Sequence, residues 1–486
     1  MSKVINFLQK NIYLILVVLL TIPAFWKMLS YGIHSMQDFH LFRLFEFNSC
    51  VQRFEIPCRW AQDAGLGFGE PLFNFYGSGA YLLGEVFHLL GGSYISSIKF
   101  LFILSIVGSG IGMYFLSKEI WKNNWGAILS SVIYVYAPYR AVDVWVRGAL
   151  PEAFAFLLLP FIVLSIEKKN LFYFSLLSFF LVITHNLSFV MFLPFLLIWI
   201  VYRKWWKGFF GFVISGLLSS FYILPVIFES KFVNLESTTL GYFDFRAHFI
   251  TIKQIFFDTT WGYGGSTWGP VDNMNLSVGI LQWFILTAIL VYLFVFRKVK
   301  KNITLVLLVV IGFLYLLLTH NKSAFVWEYI TFMKFIQFPW RFLGMAVFSF
   351  SIAAGVLFNL VTKKRFMFSV FLFITIYNLL FNIHYFRPDI WYPVDDSYFL
   401  TGEEWDRQRT ASIGDFWPQF GHSIPDKPSD GMYINYFPGW ESMAPMQSGL
   451  IPAEGSKFKN TPIRTVGNII TLISLLGIFI WKRKLI

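Results

Sequence analysis

The sequence predicts an all-α, polytopic membrane protein with about twelve transmembrane helices. Three observations predict it. Apolar residues make up 56% of the 486 residues and aromatics 21%, with Phe alone occurring 59 times. Charged residues reach only 14%. The apolar residues also come in long unbroken runs, which a water-soluble core of this size does not need. The formal net charge of +12 would suit a nucleic-acid binder. Its basic residues, however, cluster in short loops between apolar runs, where they orient a chain in a bilayer, so no nucleic-acid partner is expected.

The first run, Asn11–Ser30, is too long for a signal-peptide core and has no small-x-small cleavage site, so it reads as a retained anchor. The further spans are Ile95–Ser117, Trp125–Pro138, Ala153–Ile166, Leu171–Thr184, Leu187–Tyr202, Phe209–Phe228, Leu276–Phe296, Ile303–Thr319, Trp340–Val361, Phe366–His384 and Val466–Trp481. Several are short and have to tuck into a bundle. Gly79–Leu90 is apolar but short, and it carries Glu85 and His88. If it does not cross, every strongly basic short loop falls on one side: Lys118/Lys122, Lys168/Lys169, Arg203/Lys204/Lys207, Arg297/Lys298/Lys300/Lys301, Lys363/Lys364/Arg365 and Lys482/Arg483/Lys484, with Lys3 and Lys10 at the start. That assignment puts both termini in the cytoplasm and makes Gly79–Leu90 an interfacial or re-entrant helix. The expectation is a multi-pass plasma-membrane protein whose long loops, and whose chemistry, face the extracytoplasmic side.

Residues 1–384 then form the membrane domain, with 31–94 as its first outer loop. Residues 385–465 form a small extracytoplasmic subdomain, β-rich and partly irregular, with Met432–Phe437 as a strand before a turn. Residues 466–486 are the last helix and a basic tail. Cys50 and Cys58 both fall in the outward loop. The sequence favours two free thiols over a disulfide, and two Cys alone are a poor metal signal.

Asp38, just past the first span, is the leading candidate for chemistry, because a carboxylate there is costly unless used. Phe39–Phe54 has helical periodicity, with Arg43, Glu46 and Arg53 on one polar face, as an amphipathic helix in the outer headgroup region would have. Asp38 is therefore either an N-cap of that helix or a general base for an acceptor hydroxyl. His40 projects to a different side, so Asp38 and His40 do not make a two-ligand metal clip. Arg140, Asp143 and Arg147 are spaced i, i+3 and i+7 and form one stripe, either an internally paired surface helix or a stripe with one guanidinium to spare for phosphate. Pro151-Glu152 suits the first turn of the next span. Arg341, in Gln337-Phe-Pro-Trp-Arg341, sits at the outward mouth of a span, either snorkelling or holding an anion. Arg59-Trp60 precedes a Gly- and aromatic-rich loop, Gly65–Tyr76, that suits sugar stacking or an interfacial aromatic belt. Thr184-His185-Asn186 recurs as Thr319-His320-Asn321, each at an outward helix end. No Cys/His metal spacing, Gly-x-Ser-x-Gly or nucleotide fingerprint is present, nor the mid-span charges of an ion-coupled transporter.

The order of these features resembles the GT-C superfamily of membrane glycosyltransferases: an acid soon after the first span, an outer amphipathic helix, about a dozen spans and an outer C-terminal region. More closely, Ile56-Pro-Cys-Arg-Trp60, Gly67-Phe-Gly-Glu-Pro71 with Phe75-Tyr76, Ala137-Pro-Tyr139, Arg147-Gly-Ala-Leu-Pro-Glu152, Gln337-Phe-Pro-Trp-Arg341, Phe437-Pro-Gly-Trp440 and Thr461-Pro-Ile-Arg464 look like a bacterial membrane-protein family. That family is named for a 6-pyruvoyl-tetrahydropterin synthase-related domain and is similar to YfhO-like proteins. The three-His zinc site of pterin chemistry has no counterpart here. The resemblance implies transfer of a sugar from a polyprenyl-phosphate carrier to a glycan, lipid or protein acceptor. It implies Asp38 as catalytic base and Glu152 as a supporting acid. Arg140, Arg147 and Arg341 would bind the donor phosphate, and His40, Arg59, Trp60 and His185 would contact sugar. No cofactor is certain, although a divalent metal is compatible. The alternative is a non-catalytic partner or transporter in lipid-linked glycan or cell-envelope polymer assembly.

Overall fold

The structure, a computed structural model, describes residues 2–269, 271–296, 302–360, 364–410, 416–420 and 423–483. Of the basic residues predicted to orient the chain, Arg297, Lys298, Lys300, Lys301, Lys363 and Lys484 lie outside the described residues.

Each predicted span corresponds to helix. Six helices are long and apolar enough to cross a bilayer: Asn11–Leu29, Tyr94–Trp121, Leu150–Glu167, Pro339–Leu360, Phe368–Tyr385 and Pro462–Trp481. Two more segments reach that length as bent pairs, Gly208–Leu218 with Ser220–Phe232 at 70° and Ile303–Thr319 with Asn321–Tyr329 at 90°. Asn124–Val135, Leu171–Thr184, Asn186–Tyr202 and Ile280–Val295 are shorter apolar helices. At the first bend, Ser219 and Ser220 return their hydroxyls to the carbonyls of Ser215 (2.8 Å) and Gly216 (3.1 Å). Such bonds compete with the helical ladder and favour a break.

The bundle is layered by burial. Pro339–Leu360 and Leu150–Glu167 are 83% and 78% buried, whereas the first and last spans are 28% and 22% buried and leave most of their surface for lipid. Small residues let the central helices approach closely, as in lipid where no hydrophobic force drives helix association. Ser117 Oγ lies 2.8 Å from Ser130 Oγ, and the Ser131 hydroxyl donates to the Gly110 carbonyl at 2.7 Å. Gly79–Leu89 is a helix of 11 residues with Leu82, Val86 and Leu89 exposed.

Three expectations change. Phe39–Gln52 is helical, but its polar face is not in the headgroups: Arg43 is 7% and Glu46 0% exposed. The helix packs against Gly79–Leu89, Tyr94–Trp121 and Gly402–Arg409. Arg43 lies over the Phe39 and Tyr76 rings, and Glu46 accepts the Asp63 amide at 3.3 Å. Cys50 and Cys58 are joined by a disulfide rather than free. The chain doubles back after the helix, with Glu55 N–H donating to the Cys50 carbonyl at 2.9 Å, and this brings Cys58 alongside. Asp38 stands at the N-cap position of the helix that follows it, but its side chain makes no capping hydrogen bond.

The C-terminal region 385–465 has the expected strand, Tyr433–Asn435, antiparallel to Leu450–Pro452. Trp440–Glu441 pairs with Lys457–Phe458, and Trp391–Tyr392 pairs with Ile33–His34. Two-stranded sheets are marginal alone, and this region is tied to the 31–94 segment. Ser429 N–H donates to Leu66 O (2.8 Å), Asn435 Nδ2 donates to Gly69 O (2.8 Å), and Asp396 receives the Tyr94 and Ile95 amides.

A buried junction fixes the same region to the bundle. Glu229 accepts from Arg464 Nε (2.9 Å), Thr461 Oγ1 (2.6 Å) and Asn74 Nδ2 (2.9 Å). Arg59 donates to Asn74 Oδ1 (3.1 Å), Phe221 O (2.9 Å) and Asn468 Oδ1 (3.0 Å). Trp60 packs edge-on to Trp440 beside Phe437 and Phe458.

Candidate functional site

One cavity of about 580 Å³ collects most of the predicted residues: Arg147, Glu152, Arg341, His40 and His185 line it. Phe39, Phe75, Tyr76, Phe243, Phe338 and Phe416 supply aromatic wall, and Thr184, Asn186 and Gln337 supply polar edge. The Leu150–Glu167, Asn186–Tyr202 and Pro339–Leu360 helices all begin at this cavity. Their N-terminal dipoles add positive potential to that of the arginines.

Local chain geometry aims these side chains. Tyr139 to Arg147 is not one regular helix. A short Pro138–Ala141 helix runs into a π-helical turn, Val142–Val146, and such wide turns are frequent at functional sites. The chain then passes Gly148 at φ +56, and a Cβ there would lie 1.8 Å from the Met36 carbonyl, so only glycine fits. The loop around Asp38 is seated on this turn. Gln37 Nε2 donates to Val144 O at 3.1 Å, and His40 Nε2 donates to Gly148 O at 2.5 Å. His40 Nδ1 accepts from the Tyr81 hydroxyl at 2.7 Å. Burial holds this imidazole well below its usual range, so it is a neutral, doubly bonded spacer in the wall.

Glu152 is the carboxylate in the cavity. Its Oε1 accepts from the Tyr139 hydroxyl (2.6 Å), its Oε2 from Arg147 Nη1 (2.7 Å), and Arg341 Nε lies 3.7 Å from Oε2. Arg147 Nη1 also reaches Asp143 Oδ1 at 3.2 Å. Arg140 pairs with Asp143 Oδ2 at 3.4 Å, donates to Ala153 O and Ser105 Oγ, and lies over the Phe156 ring behind the cavity. The stripe is therefore paired but buried, with Arg140 only 1% exposed, rather than on a surface. Arg341 does not snorkel. Its Nη1 donates to Ile336 O (2.8 Å) and Gln337 Oε1 (3.3 Å), its plane lies over Phe338, and its Nε has no hydrogen-bond partner. Three guanidiniums face two carboxylates, leaving one positive charge uncompensated beside an open volume, which is the composition of an anion site.

The remaining predicted residues lie elsewhere. Asp38 is buried and paired with Arg407, which also binds Glu404 at 2.8 Å. It does not line the cavity, although its neighbours Phe39 and His40 do. Burial raises the Asp38 carboxyl above its ordinary range, against the opposing pull of Arg407. Arg59 and Trp60 belong to the Glu229 junction. Residues without an individual role in the sequence reading are Tyr139, Gln337, Glu229 and Arg407. The first two stand inside quoted motifs, and Glu229 stands at the end of a span. Among the described residues, no group of three or more His, Cys, Asp or Glu is arranged to hold a metal.

The fold and site define a multi-pass α-helical membrane protein with a cationic, aromatic-walled cavity at one end of its bundle. No family model and no curated protein matches the chain. Among solved structures it is similar to the cryo-EM structure of the arabinofuranosyltransferase AftD from Mycobacteria, at 13% identity and a TM-score of 0.48. That match covers 80% of this chain and 28% of the other, so the chain spans less than a third of that protein's length.

Proposed function

We propose that this chain is an integral membrane glycosyltransferase of GT-C type, moving a sugar from a polyprenyl-phosphate carrier to an acceptor on the outer face. The observation that carries the reading is the uncompensated guanidinium charge in an aromatic-walled cavity. Arg147 and Arg341 are suited to the carrier's phosphate as it departs, and the aromatic rings to the sugar. Glu152, with both oxygens occupied by donors, organises the arginines rather than taking protons. Asp38 is the proposed base. Burial makes its carboxylate more basic, and its partner Arg407 is half-exposed. Deprotonation of an acceptor hydroxyl by Asp38, attack on the anomeric carbon and departure of the lipid phosphate complete an inverting transfer.

Both termini are proposed to be cytoplasmic and the cavity extracytoplasmic. The basic short loops support this, and so does the Cys50–Cys58 disulfide, since such bonds persist on the oxidising side of a membrane. A reporter fused after Lys122 should read cytoplasmic. The closure of Asp38 by Arg407 favours a second reading, a non-catalytic partner or transporter for a lipid-linked glycan. Glycan analysis separates the two. Loss of product with Asp38→Asn at normal protein levels supports transfer, and unchanged product removes Asp38 from catalysis.

A further inference from the structure

We propose that Ser266 and His248, in the long loop before the Ile280–Val295 helix, are positioning residues for Arg147 and act through Trp340. The inference rests on the phosphate reading of the cavity. Arg147 makes its bonds to Tyr139, Asp143 and Glu152 all through Nη1. One nitrogen at the hub of three bonds does not fix a planar group. The surface that does is the Trp340 indole, whose ring centre lies 4.8 Å from the guanidinium carbon.

The indole is itself tethered. Its Nε1–H donates to Ser266 Oγ at 3.1 Å, and that hydroxyl lies 2.6 Å from His248 Nδ1. His248 Nε2 abuts the Tyr242 carbonyl, which can only accept, so Nε2 carries the proton and Nδ1 is the acceptor. The Ser266 proton therefore goes to Nδ1, and its lone pairs are left for the indole. The bonds run in one direction, from Trp340 to Ser266 to His248, and from His248 to Tyr242. Trp340 and Ser266 are 2% and 0% exposed, so water cannot replace a missing partner. Phe338 stacks on the indole at 4.8 Å and packs against His248 at 4.6 Å, which closes the unit. Ser266 and His248 sit on a loop distant in sequence from Arg147, and their bonds are to Trp340, to each other and to Tyr242 rather than to Arg147.

The test is a double-mutant cycle on the detergent-solubilised full chain, with farnesyl phosphate as the titrated probe. Ser266→Ala and Trp340→Phe, which keeps an aromatic face but removes the N–H, should each weaken binding about fivefold, the worth of one buried hydrogen bond. The double variant should be no weaker than either single one, because both remove the same link. Ser266→Thr should restore binding. If Ser266→Ala does not fold, Trp340→Phe and Ser266→Thr decide the matter. Wild-type binding with unchanged affinity in Trp340→Phe, or additive losses in the double variant, overturns the relay and leaves the phosphate reading standing. Failure of the wild type to bind farnesyl phosphate overturns both.

Discussion

Replacing Glu152 with Gln should move stability and anion affinity in opposite directions. The side chain is nearly isosteric, so packing against Tyr139 and Arg147 survives. What is lost is the charge that receives Tyr139 at 2.6 Å and Arg147 at 2.7 Å and that sits 3.7 Å from Arg341. Glutamine keeps one acceptor oxygen for Arg147 and turns an N–H2 toward Tyr139, whose hydroxyl must then accept instead of donate. The Arg147 contact loses its ionic partner and the Tyr139 bond becomes neutral, a loss of about 1 kcal/mol each. The repulsion between Arg147 and Arg341 is also no longer offset. Together these cost about 2–4 kcal/mol, below or at the low end of the ~3–5 kcal/mol for removing one partner of a buried pair outright. The five charged groups Arg140, Arg147, Arg341, Asp143 and Glu152 meanwhile go from a net charge of one to two. At an effective dielectric of about 20, one unit charge about 6 Å from a bound anion is worth roughly 3 kcal/mol. Affinity for an isoprenyl phosphate should therefore rise ten- to about a hundredfold. The assay pairs thermal unfolding of the solubilised protein with farnesyl phosphate titration. A lower Tm with tighter binding supports the arrangement. A lower Tm with weaker binding would show that Glu152 contacts the ligand directly, and no change in either would show that the cluster is not as drawn.

The other expectations are simpler. The Asp38 carboxyl is raised above its ordinary 3.8 by burial, so the folded chain holds that proton more tightly than the unfolded one. Stability falls as pH rises from that ordinary value to the raised one. Asp38→Asn should then melt at or above the wild type at pH 8, with the advantage gone near pH 4, and a variant that melts several degrees lower at pH 8 would refute this. Replacing Cys50 and Cys58 by Ser should cost about 2.5 kcal/mol by loop entropy, seen as a lower Tm that reductant reproduces in the wild type. Glu229→Ala should strand the fully buried Arg464 and cost about 3–5 kcal/mol, with faster proteolysis within 385–465 as the readout.

Much of the bundle was legible because hydrophobic run length follows directly from the bilayer's thickness. The arginines of the cavity were legible for a related reason: on the proposed topology they stand at the end of a span opposite the basic short loops, where a cation needs a partner or a ligand. What the sequence could not show was who that partner is. Asp38 meets Arg407 across 369 positions, and no local pattern announces it. The polar stripe of Phe39–Gln52 was read as wetted because periodicity reports which residues share a face and is silent on what the face meets. Regular spacing also misled at Arg140 to Arg147, where a π-helical turn replaces the assumed α-helix and the paired stripe goes inside. On the same proposed topology the rule would have found Arg464, and there it leads to the Glu229 junction. Arg59 and Arg464 against Glu229 carry the same surplus of one positive charge as the cavity cluster. Charge imbalance therefore does not distinguish a ligand site from a staple. At the junction the surplus guanidinium, Arg59, gives both Nη groups to carbonyl oxygens of Asn74, Phe221 and Asn468, its Nε being without a hydrogen-bond partner like that of Arg341, and none of the junction residues lines the cavity. At Arg341 the surplus borders about 580 Å³ of open space. It is the void beside the charge, a product of how the helices pack, on which the proposed anion site rests.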